Sequence, residues 1–452
     1  MTTAPATTED IPVAIGPLLR LAAPVVVSRL GIMAMGLTDT LVVGRHSATE
    51  LGYQALGWAP TAIVLTTSIG LLSGVQVMTS QAIGEGRAAA TGAILRRGLV
   101  YSLWVGILAA LVLGGLGGPL MHSIGLETDL ADGSTPVLQL FALSLIPILI
   151  ADTGVFWLEA HGHPVRGMVA MWGANAVNLV LNLWLVPGTS PFPVEGAVAS
   201  AWATLGARVA LLGFVAALII FWSKSRGLGV FDKAPRDPAA AAEMRRVGYG
   251  ASVSHFVETS AFAGMSIYAG WLGVTAVATW AIVLNVAALI FMVPLGLAVA
   301  TSVLVGRSWG ADDLPAVRRA GTLGFSATLA VTLFICAVVG FGAERIAAAY
   351  TLDPAVRAAT TAALLLSCLF FVADGLQVVA AQSLRARGDV WVPSLTHSIS
   401  YMLVMLPLGY YLALPAGLGV PGIVWAVIAA SLCAAGLLLT RFYWTARGLH
   451  HG

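Results

Sequence analysis

With 452 residues, of which 58% are hydrophobic and only 10% are charged, the chain is not an ordinary soluble protein. Soluble domains carry about 25% charged residues, and the low charge here extends over the full length, which indicates an all-α polytopic membrane protein. The net charge of +2 says little by itself, but the basic clusters fit the inner face of a membrane and not a nucleic-acid groove, so no nucleic-acid partner is expected. The three cysteines lack the spacing of a zinc site or a disulfide framework.

Twelve stretches of the chain are apolar over about the 20 residues that a membrane helix needs. In chain order they are residues 17–44, 52–84, 94–120, 134–159, 166–187, 195–222, 246–272, 276–306, 319–343, 356–384, 391–414 and 420–444. The longest polar segment separates the sixth stretch from the seventh. We therefore predict an N-terminal six-helix bundle at 1–222, a cytoplasmic linker at 223–245 and a C-terminal six-helix bundle at 246–452.

The basic residues predict the orientation of these helices. The N-terminus lacks the basic start and the Ala-x-Ala site of a cleaved signal peptide, so we expect a cytoplasmic tail. Nearly all loop Lys and Arg residues then fall on the cytoplasmic side, and only Arg45, Arg345 and Arg357 fall on the other. Because cytoplasmic loops are enriched in basic residues, we expect both termini to be cytoplasmic.

Two pairs of segments indicate an internal repeat. Residues 70–86 (GLLSGVQVMTSQAIGEG) end the second span, and residues 296–312 (GLAVATSVLVGRSWGAD) end the eighth. At the same offset, residues 194–201 (VEGAVASA) and 420–427 (VPGIVWAV) open the sixth and twelfth spans. Six spans return the chain to its starting side, so we expect two bundles related by a pseudo-two-fold axis along the membrane normal, as in transporters whose bundles rock about a central cavity.

The tenth span carries a carboxylate, Asp374, near its middle. A charged group at that depth costs about 2.5–3.5 kcal/mol and usually marks a functional site. Gln377 lies on the same helical face, and Phe370 lies one turn earlier. Carboxylate and amide oxygens suit Na⁺, and a lone carboxylate suits a proton. The alternative is a carboxyl group that is neutralised by a neighbouring donor and kept for packing.

The seventh span carries Glu258, with His255 one turn before it. If the seventh and tenth helices meet, Glu258 and Asp374 form a pair of like charges in a medium of low dielectric constant. Such a pair resists double ionisation, so it can hold a proton or share a Na⁺ ion. His255 is either part of this site or a packing residue, and packing is the more frequent role.

A further acidic residue, Asp39, lies late in the first span, toward the outer half of the membrane. Asn178 and Asn182 lie four residues apart on one face of the fifth span. Amides at this spacing indicate a polar lining, and hydrogen bonds between helices are the alternative.

Asp152, in the fourth span, has no evident role. Arg29 or Arg208, which also lie within apolar stretches, would neutralise it, so a structural salt bridge and a functional group are equally open.

Several motifs, in this order and spacing, resemble the multidrug and toxic compound extrusion (MATE) family and its NorM-like branch. They are LAAPVVV (21–27), TDTLVVG (38–44), SQAIGEG (80–86), NLVLN (178–182), HFVETSAF (255–262), FFVADGLQ (370–377) and LRARGD (384–389). The resemblance implies a secondary antiporter of two bundles that exports organic cations in exchange for Na⁺ or H⁺. It assigns the coupling ion to Glu258 and Asp374, and it matches Asp39, Asn178 and Asn182 to an acidic site of the N-terminal bundle.

From the resemblance we expect a monomer in the bacterial inner membrane, with small amphipathic organic cations and a coupling ion as partners and no cofactor. The alternative within the superfamily is a flippase of lipid-linked precursors. Flippases commonly have extra helices and a strongly basic cavity, whereas here the intramembrane acids are expected to outnumber the buried arginines. An integral-membrane enzyme would need a catalytic pair at headgroup level, and the sequence contains no evident one.

Overall fold

The computed structural model describes residues 12–123, 127–224, 226–232 and 237–446. These residues form twelve long helices and contain no strand. The helices are α1 (Ile15–His46), α2 (Ala48–Gly84), α3 (Thr91–Ser123), α4 (Thr128–Ala160), α5 (Pro164–Leu185), α6 (Gly196–Ser223), α7 (Pro238–Leu272), α8 (Val274–Gly310), α9 (Leu314–Tyr350), α10 (Pro354–Arg385), α11 (Trp391–His397, the π-helical Ser398–Met405 and Leu406–Ala413) and α12 (Val420–Thr445).

Ten of these helices are long and apolar enough to cross a membrane. The other two are α7, which carries more polar side chains, and α11, which the π-helical turns divide into short segments. The predicted class, an all-α polytopic membrane protein with twelve helices, is confirmed.

The seventh helix starts earlier than the sequence predicted, because α7 begins at Pro238, within the predicted linker. A proline at the first helical position followed by a run of alanines favours helix formation. The Asp237 side chain accepts the backbone N–H of Ala240 at 3.0 Å, and Arg246 pairs with Glu243 at 2.6 Å on the exposed face. These local interactions extend the helix into a polar segment.

The described residues fall into two compact units, and the unit boundaries lie inside helices. The first unit contains Val27–Ser252, and the second contains the described parts of Asp10–Val26 and Val253–Gly452. The beginning of α1 therefore belongs to the second unit, and the beginning of α7 belongs to the first. The two exchanges occur at equivalent positions of the predicted repeat.

Each unit has one central helix. In the first unit α4 packs against α2, α3 and α6, and in the second unit α10 packs against α8, α9 and α12. These two helices occupy the same place in the order of each repeat. They carry Asp152 and Asp374, so both of these acidic residues project from the helix with the most neighbours in its unit.

Small residues hold the exchanged helix segments in place. A Cβ atom on Gly70 of α2 would lie 2.7 Å from the Cα atom of Ser252 of α7, and the Ser252 hydroxyl donates to the Thr67 carbonyl at 2.9 Å. In the second unit, a Cβ atom on Gly296 of α8 would lie 3.0 Å from the backbone nitrogen of Val26 of α1. Such backbone contact requires residues without side chains at the crossing.

We expect Gly70→Ala to lower the free energy of unfolding of the protein by about 1–3 kcal/mol, because the added methyl group meets backbone atoms that cannot rotate away. Gly213→Ala in α6 is the matched control, since a Cβ atom there has nothing within 4 Å. Thermal unfolding of the purified variants measures the difference. Equal unfolding temperatures for the two variants would contradict the close crossing of α2 and α7.

Candidate cation sites

The first candidate site is built around Asp39 of α1, which is only 4% exposed. Its Oδ1 atom accepts the side-chain amides of Asn178 at 2.9 Å and Asn182 at 2.7 Å, both from α5. Its Oδ2 atom accepts the hydroxyl of Thr204 of α6 at 2.6 Å. The structure thus brings the three predicted residues together and adds Thr204, which the sequence analysis missed.

Two further oxygens at this site have no partner. The side-chain carbonyl oxygens of Asn178 and Asn182 are buried and accept no hydrogen bond. Asn175, on the same helix, instead donates its amide to the Met171 carbonyl at 2.9 Å. A carboxylate with two free amide oxygens is a set of hard ligands that fits a small cation such as Na⁺.

The second candidate site joins α7, α10 and α11. The Gln377 amide donates to Asp374 Oδ1 at 3.2 Å and to Glu258 Oε1 at 3.4 Å, so one side chain bridges both carboxylates. The Tyr401 hydroxyl also donates to Glu258 Oε1 at 3.4 Å. Asp374 and Gln377 are buried, and Glu258 is half-buried. The side-chain carbonyl oxygen of Gln377 is buried without a partner.

No Lys or Arg forms an ion pair with Glu258 or Asp374 among the described residues. The charge of Arg385, at the end of α10, acts on Glu258 from a greater distance. Two neighbouring carboxylates without a paired cation favour a proton or a bound metal ion. Within the described residues no group of three or more His, Cys, Asp and Glu could hold a metal ion. A cation at this site would therefore need amide and hydroxyl oxygens as ligands in addition to the two carboxylates.

The two remaining predicted residues lie beside this site. His255 is half-buried one turn before Glu258 on α7. Phe370 is buried in the apolar core of the second unit, with its ring centre 4.7 Å from that of Phe371. Phe370 therefore packs as a core residue one turn from Asp374.

Tyr401 is a residue of the second site that the sequence analysis missed. It is fully buried, and it lies in the π-helical segment of α11, a kind of irregularity that often marks functional sites. Its ring centre is 5.7 Å from that of His397, a buried histidine whose ring nitrogens accept or donate no hydrogen bond. A tyrosine four residues after a histidine, within an apolar span, was the available sequence signal.

We expect Tyr401→Phe to weaken the response of transport to the coupling ion by about threefold to tenfold, since a hydrogen bond to a charged group contributes about 1.5–3 kcal/mol at most and this one is long. The fold should be unaffected because the ring is kept. Initial rates of ion-driven uptake into inverted vesicles, measured against ion concentration, give the comparison. A wild-type ion dependence would show that the hydroxyl contributes nothing to the site.

Of the two alternatives for Asp152 of α4, the structural salt bridge with Arg29 or Arg208 does not form. Arg29 pairs with Glu159 at 3.4 Å, and Arg208 donates to the Ser144 hydroxyl at 2.7 Å. Both carboxylate oxygens of Asp152 are buried, and no described residue donates a hydrogen bond to them. Arg29 pairs instead with Glu159, which lies near the end of α4. The sequence alone did not reveal which of these two acidic residues Arg29 would contact.

The expectation that buried acids outnumber buried arginines is wrong for the described residues. Four acids and four arginines are buried: Asp39, Asp152, Glu159, Asp374, Arg29, Arg208, Arg385 and Arg387. One buried arginine that the sequence did not predict follows α10: Arg387 packs against α12 and donates to the Thr445 hydroxyl at 2.6 Å. Burial lowers the pKa of the Arg387 guanidinium, and the Asp389 carboxylate partly offsets this effect.

Comparison with known proteins identifies the family. The MatE family model matches the chain twice, at residues 24–184 and 251–411, as expected of an internal repeat. The probable multidrug resistance protein NorM of Caulobacter vibrioides is 51% identical over 94% of this chain and 90% of its own length. The multidrug resistance protein PmpM of Pseudomonas aeruginosa is 30% identical over 93% and 89%.

Solved structures agree in fold. A MOP superfamily transporter from Pyrococcus furiosus superposes with a TM-score of 0.88 at 18% identity, covering 96% of both chains. The double match to one family model, the similarity to NorM over nearly the whole length, and the helical architecture lead to one conclusion. The chain belongs to the MATE family of multi-pass membrane proteins, and it is similar to the NorM proteins of that family.

Proposed function

We propose that the protein is a secondary antiporter that exports amphipathic organic cations in exchange for Na⁺ or H⁺. The observation that carries this proposal is the Glu258–Asp374 pair, which Gln377 bridges and which has no paired Lys or Arg among the described residues. The Asp39 cluster provides a second acidic site in the other unit.

The carboxylate pair suits ion coupling because its charge changes when the ion arrives or leaves. With the ion absent, two negative charges share a poorly solvated site, which favours binding of a cationic substrate or of a new ion. With the ion bound, the charge is reduced and the affinity for a cationic substrate falls. Competition of this kind couples two opposite fluxes when the binding site alternates between the two sides of the membrane.

The relatives support transport of drugs as the activity. NorM and PmpM carry the name multidrug resistance protein, and neither name describes an enzyme. By this similarity we infer a bacterial inner-membrane location and a monomeric carrier. The distribution of basic residues supports cytoplasmic termini.

The alternative, a flippase of lipid-linked precursors, requires a binding surface for an anionic substrate. The buried arginines of the first unit offer little free positive charge, because Arg29 is paired with Glu159 and the charge of Arg208 acts on Asp39 and Asp152. The buried charge of the first unit, three acids and two arginines among the described residues, therefore favours cationic substrates.

The proposal is tested with inverted membrane vesicles and a fluorescent organic cation as substrate. Either an outward-directed Na⁺ gradient or an outward-directed H⁺ gradient is imposed across the vesicle membrane, with the other gradient collapsed. We expect one of the two gradients to drive uptake of the dye, which also identifies the coupling ion. Uptake that follows neither gradient would refute the antiport mechanism, and gradient-independent scrambling of an anionic lipid would favour the flippase.

A further inference from the structure

Among the described residues, the interior of the first unit holds five charged side chains whose charges do not balance. Asp39, Asp152 and Glu159 are acidic, Arg29 and Arg208 are basic, and each is at most 6% exposed. With all five ionised, the net charge of this buried group is negative by one unit. A buried charge of this kind is costly unless it is compensated. One bound monovalent cation would bring the group to neutrality.

Arg29 and Glu159 form a closed pair within this group. Their side chains lie 3.4 Å apart, and the second Glu159 oxygen accepts the Gln76 amide at 2.9 Å. The pair uses one positive and one negative charge. The remaining imbalance therefore concerns Arg208 with Asp39 and Asp152.

Arg208 lies one turn after Thr204 on α6, whose hydroxyl donates to Asp39, and it forms no ion pair with Asp39 or Asp152 among the described residues. It donates to the Ser144 hydroxyl at 2.7 Å, and its guanidinium carbon is 5.7 Å from the ring centre of Trp58. Its positive charge acts on both Asp39 and Asp152. A single guanidinium is thus shared by two carboxylates.

Asp152 has fewer polar partners than Asp39 among the described residues. Asp39 accepts three hydrogen bonds from side chains, whereas neither oxygen of Asp152 accepts any. Asp152 is 1% exposed, so bulk solvent does not reach its carboxylate. Its ionised form relies on the charge of Arg29, which is already paired with Glu159, and on the charge of Arg208.

We propose that Asp152 and Arg208 together set the affinity of the Asp39 site for its cation. Asp152 shares the positive charge of Arg208 with Asp39, so that Arg208 neutralises Asp39 only in part, and the Asp39 cluster keeps negative charge that attracts one monovalent cation. The proposal deepens the antiport mechanism and rests on it in one respect, the use of Asp39 as a cation site. Asp152 and Arg208 act through Asp39 and are positioning residues.

The proposal predicts opposite effects for the two residues. Asp152→Asn removes one negative charge, brings the group to neutrality without a cation, and weakens cation binding at Asp39. Arg208→Gln removes the positive charge and strengthens binding. Each change should be on the order of tenfold, as expected for one nearby charge at an effective dielectric constant of about 20. The double variant restores the original net charge and should bind the cation with nearly the parent affinity.

Na⁺ binding to the full-length protein in lipid nanodiscs, measured by titration calorimetry, tests these predictions. All variants are made in the Glu258→Gln, Asp374→Asn background, so that only the first unit contributes an acidic cation site. Asp39→Asn in that background should abolish binding. The matched control is Asp132→Asn, an exposed carboxylate of the same unit that lies 3.3 Å from His122, and it should leave the affinity unchanged.

The order of affinities decides the outcome. Weaker binding in Asp152→Asn, tighter binding in Arg208→Gln and restoration in the double variant support the proposal. Equal affinities, loss in both single variants without restoration, or an absence of Asp39-dependent Na⁺ binding would overturn it. A purely structural network would lower the unfolding temperature in both single variants without opposite changes in affinity. If Asp152→Asn does not fold, the Arg208→Gln result decides alone, and unchanged or weaker binding overturns the proposal.

The result is independent of the antiport proposal, because the background variants lack the Glu258–Asp374 pair. A wrong order of affinities alongside ion-driven efflux by the wild type would refute only the role of Asp152 and Arg208. The expected order without ion-driven efflux would refute only the antiport function.

Discussion

Asp374→Asn should reduce ion-driven export of organic cations by about 100-fold. The substitution keeps the shape of the side chain and its hydrogen bond from Gln377, which is 3.2 Å long in the native protein, but it removes the charge that a coupling ion would neutralise. Loss of one charged ligand costs on the order of 2–3 kcal/mol, which corresponds to roughly 30-fold to 150-fold in affinity. Glu258→Gln should have a similar effect, because the same Gln377 amide bridges both carboxylates. Initial rates of dye uptake into inverted vesicles measure the loss.

The control for these variants is Glu344→Gln in the same unit. Glu344 is exposed at the end of α9 and pairs with Arg357 at 2.8 Å, and exposed pairs contribute only about 0–1 kcal/mol. Its export rate should match that of the wild type. Wild-type export by both Asp374→Asn and Glu258→Gln would remove the coupling role from the second unit.

Asp39→Asn should produce the second large effect, a loss of export of about tenfold to 100-fold. The buried amides of Asn178 and Asn182 and the hydroxyl of Thr204 all donate to this carboxylate, so the variant loses the charge around which three donors are arranged. Thr204→Val removes one donor and keeps the carboxylate, so its loss should be smaller, about tenfold or less. Export rates, with thermal unfolding as a check of folding, give the comparison.

Asp39→Asn and Asp374→Asn should each remove one of the two acidic sites. Asp39→Asn leaves the carboxylate pair of the second unit intact, and Asp374→Asn leaves the Asp39 cluster intact. Each should therefore retain about half of the Na⁺ or H⁺ binding of the wild type. Unaltered export in Asp39→Asn would restrict coupling to the second unit.

The sequence predicted the helices and the polar residues well, because both are local properties. A run of apolar residues must be helical in a membrane, where every backbone group needs an internal partner. The three-residue spacing of Asp374 and Gln377 places them on one face of a helix, and the four-residue spacing of Asn178 and Asn182 does the same. The structure accordingly joins Gln377 to Asp374 by a hydrogen bond, and it brings the face of α5 that carries Asn178 to Asp39.

Contacts between helices were beyond the sequence. Thr204 and Tyr401 bond to carboxylates on other helices, and a single hydroxyl in an apolar span carries no signal of which neighbour it meets. The partner of Arg29 was missed for the same reason, since helix packing selected Glu159 over Asp152. The exchange of the first parts of α1 and α7 between the compact units likewise depends on backbone contacts at Gly70 and Gly296, which a pattern of hydrophobic residues does not encode.

Antiport is tested most directly by measuring whether a substrate gradient drives the coupling ion in the opposite direction. Purified protein is reconstituted into sealed liposomes, a gradient of the organic cation alone is imposed, and the movement of Na⁺ or H⁺ is followed with an indicator in the lumen. Because coupling is reciprocal, the substrate gradient should drive the ion in the opposite direction in the wild type and should fail to do so in Asp374→Asn. Ion movement in the same direction as the substrate, or substrate movement without any ion flux, would contradict the account.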